Sequence, residues 1–143
     1  MSISIEITGL DPLIAKLERL ARPDQVELME QIGSLVESQT RNRIKNEKRA
    51  PDGTPWKKWS DEYSKTRHGG HSLLMNEGDL LDSIQWQVSG DSVEIGSNLV
   101  YARTHQLGRK VGRGRIPARP YLGLSAENRD EISEAIDSWL ESL

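Results

Sequence analysis

The sequence predicts an α+β fold: a small antiparallel sheet with a β-hairpin packed against helices, including one long helix and a C-terminal amphipathic helix. Two periodicities carry this reading. Apolar residues alternate at a period of two over 2–8 and 84–97, and they recur at helical spacing over about 24–46 and 126–140. Turn residues separate these stretches, and nothing repeats along the chain.

Ile3, Ile5 and Ile7 alternate with Ser4, Glu6 and Thr8, which predicts a half-buried strand stopped by Gly9. Asp11-Pro12 reads as an N-cap and first-turn proline. The helix that follows shows Leu13, Ile14, Leu17 and Leu20 on one face and ends before Pro23. From Asp24 a second helix places Leu28, Met29, Ile32, Leu35, Val36 and Ile44 at helical spacing and runs to about Asn46. Arg41, Arg43 and Lys45 collect in its last turn, where the helix dipole favours cations.

Residues 47–78 form an irregular excursion that holds PDGTPW, a short helical turn starting at Ser60, and the His68-Gly69-Gly70-His71 loop. Trp56 and Trp59 read as a satellite cluster beneath this excursion in preference to an exposed docking site, because large aromatics usually bury. Leu80-Leu81 starts a further turn of helix. Ile84, Trp86 and Val88 alternate, as do Val93 and Ile95, and Ser89-Gly90-Asp91-Ser92 between them predicts a hairpin over 84–97. Tyr101–Leu107 reads as a short helix ended by Gly108. Ser125 caps the last helix, and Asn128 at the third position leaves its capping box incomplete. Ile132, Ala135, Ile136, Trp139 and Leu140 line the inner face of that helix.

The 143 residues are read as one domain, 1–143. Hydrophobic residues make up 35%, Phe is absent and mean hydropathy is −0.63, so the core is lean and four Trp must fill much of it. Such cores often go with oligomers, although a hydrophilic monomer fits equally well. With no Cys, disulfides and thiolate zinc sites are excluded. No apolar run approaches the ~20 residues of a membrane span, and MSISIEITGL lacks a basic start, so the expected product is soluble and made in the cytoplasm.

The net charge of −3 conceals bands. Residues 41–70 hold nine basic against four acidic side chains, and 71–100 hold five acids and no base. Residues 101–120 hold six bases and no acid, and 121–143 hold six acids and one base. Opposite bands can pair within a fold or between copies. The segment Tyr101–Ser125 concentrates the signal, with Gly108, Gly112, Gly114, Pro117 and Pro120 among Arg103, Arg109, Lys110, Arg113, Arg115 and Arg119. That composition suits a contact surface better than a core, and 108–120 is expected to project.

Catalytic signals are weak. His68 and His71 could share a metal with Glu77 and Asp79, but a flexible polar loop explains them more simply, because structural zinc wants four ligands. Asp79 and Asp82 read as solvated acids on a short turn. No nucleophile elbow, phosphate-binding loop or dinucleotide fingerprint is present. Arg109, Lys110, Arg113 and Arg115 could neutralise phosphates, which keeps a basic-loop nucleic-acid-binding module as the alternative, against a chain pI near 5.7.

Two spaced motifs, YARTHQLG (101–108) and IPARPYLGLS (116–125), follow DGTPW (52–56), Leu73-Leu74, GDLLDSI (78–84) and VEIG (93–96) in order. In this order they resemble the phage virion morphogenesis family, the Mu-like neck or tail-completion proteins, over about residues 30–143. Trp59, Asn76-Glu77 and the HGGH loop depart from that pattern. The resemblance implies a structural assembly protein without catalysis or cofactor, built into the virion. It further implies a homo-oligomeric ring of six copies at the head–tail junction, touching tail tube or terminator and head connector proteins, around a channel that DNA passes through.

A head-to-tail ring needs two different complementary faces, which alternating charge bands supply. In such a ring Tyr101, Arg109, Lys110, Arg113, Arg115 and Ile116 belong to the contact segment. Pro117 and Pro120 stiffen it, Tyr121 and Leu122 act as apolar anchors, and Arg119 donates to a neighbour's carboxylate. His105 and Gln106 hydrogen-bond to fix the loop base, within one subunit or between two.

Overall fold

The computed structural model describes residues 2–6, 25–66, 72–75, 78–89, 92–110 and 116–142. The helix expected over 12–22 and the HGGH loop lie outside these. Three strands, β1 (Ser2–Glu6), β2 (Gln85–Ser89) and β3 (Ser92–Gly96), form an antiparallel sheet in the order β1-β3-β2. The register aligns apolar side chains across all three strands. Ile3 and Trp86 flank Ile95, and Ile5 and Val88 flank Val93. Each such cross-strand pair contributes roughly 0.2–1 kcal/mol. Val93 and Ile95 on the central strand are fully buried.

Helix α1 (Gln25–Asn42) packs on β2 and β3 through Leu28, Met29, Ile32 and Val36, all fully buried. Gly33 lies on the same face because space requires it. A Cβ there would stand 2.6 Å from Trp86 Cδ2. The C-terminal helix α5 (Ala126–Glu141) packs on α1 and closes the core with Ile132 and Trp139. Between these lie three short helices: α2 (Asp61–Ser64), α3 (Asp79–Ser83) and α4 (Ala102–Leu107).

Three sequence expectations need correction. The long α-helix stops at Asn42, and Arg43–Glu47 continues as a π-helical turn closed by Lys48 N–H donating to Arg43 O at 2.9 Å. Arg43 and Ile44 both face inward from it. Lys48 ends it in the left-handed region (φ 56°), and its ammonium reaches Ile44 O, Leu73 O and Ser72 Oγ. Those bonds tie the excursion to the helix end, and burial pushes the Lys48 pKa down to about 8.

Second, the capping box of α5 is complete. Asn128 N–H donates to Ser125 Oγ, and Asn128 Oδ1 accepts from Ser125 N–H. The shorter amide side chain does what Glu or Gln usually does. Third, Trp56 belongs to the main core and not to a satellite cluster. It is 5% exposed, and its indole N–H donates to Pro120 O at 2.8 Å. Trp59 alone stays peripheral, edge-on to Tyr63.

A candidate contact surface on helix α4

Leu99 O accepts from Ala102 N–H to start α4, and Gly108 ends it. Gly108 has φ 76° and ψ 177°, a conformation open to glycine alone. A Cβ there would also meet Ala118 N at 2.7 Å. Arg109 and Ile116 then exchange two backbone hydrogen bonds of 2.7 and 2.9 Å, which hold residues 109 and 116 side by side.

Downstream of this clasp the chain turns inward, so the 116–120 part of the segment 108–120 expected to project does not, and Tyr121 and Leu122 are not free to anchor a neighbour. Tyr121 is fully buried, with its hydroxyl donating to Ala102 O at 3.0 Å, and burial pushes its pKa up to about 12. Leu122 is 4% exposed. Arg119 is buried too. Its Nε donates to Lys57 O and its Nη2 to Lys58 O, so its donors meet carbonyls of its own subunit and not a neighbour's carboxylate. Ile116, Pro117 and Pro120 are half-buried. The reason is apolar content: a stretch carrying Ile, Tyr and two Leu is more stable inside a lean core than outside it.

Gln106 holds the base of this inward segment. Its Oε1 accepts from Tyr121 N–H and Leu122 N–H, and its Nε2 donates to Leu122 O. His105 contributes through its backbone carbonyl, which accepts from Arg119 N–H at 2.8 Å. Its imidazole instead stacks edge-on against Tyr101, with Nδ1 buried and unpartnered among the described residues. Burial, then the nearby Arg119 charge, pushes the His105 pKa down.

What remains outside is the outer side of α4. Val100 is 96% exposed and Leu107 is 48% exposed. Val100 lies just ahead of the helix, and Arg103 and Leu107, four residues apart, share one side of it. Arg109 and Lys110 are exposed beside them, and Tyr101 is partly exposed at the helix start. Arg113 and Arg115 lie outside the described residues. The structure thus splits the predicted segment into exposed apolar and basic residues in and beside α4 and an internal strap from Ile116 onward.

One residue that organises this strap was missed by sequence reasoning. Arg43 is 1% exposed; its Nη1 donates to Tyr121 O (2.7 Å) and Gly123 O (3.2 Å), and its Nη2 to Asn128 Oδ1. It joins the end of α1, the strap and the α5 cap. Burial lowers its pKa, and Glu47 partly opposes that shift. The signal was present in the spacing: Arg43 lies seven residues after Val36 and beside Ile44, on the buried stripe of α1.

Among the described residues no group of His and acidic side chains is placed to hold a metal ion, and no helix is long and apolar enough to cross a membrane. Residues 5–141 match the phage virion morphogenesis family. The chain is 33% identical to the Mu-like prophage FluMu G protein 2 of Haemophilus influenzae, over 99% of this chain and 98% of the relative. It is 29% identical to protein G of Escherichia phage Mu, provisionally named for capsid assembly, over 95% of this chain and 91% of the relative. The FluMu G protein 1 of H. influenzae is 31% identical over 66% of this chain and 65% of its own length. No solved structure gives a significant match.

Proposed function

The chain belongs to the phage virion morphogenesis family, and from that premise we propose that it is a structural component that completes the tail or neck at the head–tail junction. It works as a homo-oligomeric ring, by shape and charge and without turnover. The observation that carries the assembly reading is the α4 face, where Val100 and Leu107 stand exposed among Arg103, Arg109 and Lys110. Exposed aliphatic side chains among cations fit a protein partner. The family relation supports a virion-associated protein; on the reading proposed here it is assembled in the host from copies of itself and sits between tail proteins and the head connector.

Native mass measurement and sedimentation test this, followed by retention on purified tails and connectors. A discrete oligomer that binds either particle is expected. A chain that stays monomeric at high concentration and binds neither would refute the reading. The basic α4 face also fits phosphate, which keeps the nucleic-acid module as the second reading. It predicts DNA retention that falls steeply with salt.

A further inference from the structure

Helix α5 carries six acids: Glu127, Asp130, Glu131, Glu134, Asp137 and Glu141, all exposed. At 100° per residue they fall within an arc of about 120°, opposite buried Asn128, Ile132 and Trp139. The stripe is about 21 Å long at 1.5 Å per residue. None of these carboxylates forms an ion pair among the described residues. At its N-terminal end Glu127 and Glu131, with Glu47, line a cleft of about 490 Å³ whose walls also include Arg43, Arg49 and aliphatic carbon from Leu35, Ala50 and Pro51.

We propose that this acidic face of α5 receives the α4 face of a second copy of the same chain. Arg103, Arg109 and Lys110 oppose the stripe, and Val100 and Leu107 are covered at the centre of the contact. The two surfaces are different patches of one chain with opposite charge, so the contact is heterologous and propagates from copy to copy, as a ring requires. Charge supplies direction and register, and the two aliphatic side chains supply apolar burial. The inference rests on the assembly reading above and goes further by naming which faces meet.

Two charge-reversed proteins test it. The first carries Glu127→Lys, Glu131→Lys and Glu134→Lys; the second carries Arg103→Glu, Arg109→Glu and Lys110→Glu. Each alone is expected to self-associate at least about tenfold more weakly than the original chain, because like charges now face each other. Mixed in equal amounts they are expected to assemble again, since each reversed face finds the opposite sign on its partner. Misfolding cannot produce that rescue. If one set fails to fold by circular dichroism, Glu→Gln and Lys110→Gln replacements at the same positions take its place, and assembly must then weaken without rescue on mixing.

Reversed proteins that are folded and assemble like the original overturn this inference and leave the assembly reading standing. A folded pair whose mixture stays monomeric also overturns it. An original chain that never assembles overturns both. If reversing the α4 face abolishes DNA retention while oligomers persist, the face meets nucleic acid and the inference falls.

Discussion

Replacing Arg43 tests whether one buried guanidinium joins α1, the Tyr121–Gly123 strap and the α5 cap. Arg43→Met keeps much of the side-chain volume and removes all three donated hydrogen bonds, to Tyr121 O, Gly123 O and Asn128 Oδ1. A hydrogen bond from a charged donor contributes roughly 1.5–3 kcal/mol, and a stranded buried acceptor costs about 1–3 kcal/mol. Removing the desolvated charge offsets part of the loss, because burial itself disfavours the guanidinium. Asn128 keeps its bond from Ser125 N–H, so only the two strap carbonyls lose their side-chain donor outright. The expected net cost is about 3–4 kcal/mol, from the lost charged-donor bonds and the two stranded carbonyls less the desolvation relieved. For a chain of this length it corresponds to roughly 10–15 °C in Tm. Urea unfolding followed by tryptophan fluorescence measures it directly. Arg43→Lys retains the charge but lacks the fork and should recover less than half of the loss. An Arg43→Met protein within about 1 kcal/mol of the original would refute the reasoning, since the three bonds would then be worth no more than the apolar replacement.

Gly33→Ala gains about 1 kcal/mol of helix propensity but drives a methyl into the Trp86 ring, at a cost of roughly 1–3 kcal/mol, so it should destabilise. In a Trp86→Leu background the same change should stabilise, and a double-mutant cycle by thermal unfolding reads the sign reversal. His105 has a folded pKa below its ordinary 6.5, so the unfolded chain takes up the proton first. Its contribution is therefore present above about pH 6.5 and is lost as pH falls below it; His105→Gln should flatten that acid limb in unfolding measured against pH. Tyr121 has the opposite sense. With a folded pKa near 12 against about 10 unfolded, stability should fall as pH rises past 10, and Tyr121→Phe should lose about 1 kcal/mol at neutral pH while removing that alkaline decline.

Local periodicity made much of the architecture legible. The alternation in 84–97 gave the hairpin, because side chains on a half-buried strand must alternate whatever lies around them. Gly108 marked the end of α4, since few other residues adopt its backbone angles. Gln106 bonds to the Tyr121 and Leu122 backbone of its own chain. The Arg residues of 101–120 were all read as surface charge, and there composition misled. Arg103 and Arg109 are exposed, whereas Arg119 is buried on the carbonyls of Lys57 and Lys58. An arginine's partners are backbone groups some 60 residues away, and no local pattern reports them.

By itself the sequence determined the hairpin, the long and C-terminal helices, the alternating charge bands and the motifs of the family. These depend on neighbours along the chain, through dihedral preferences and the spacing of apolar side chains. Only the tertiary structure decided which part of Tyr101–Ser125 faces outward. Burial is set by what the rest of the chain leaves uncovered, and here a lean core took in Tyr121, Leu122 and Arg119 while leaving Val100 and Leu107 in water.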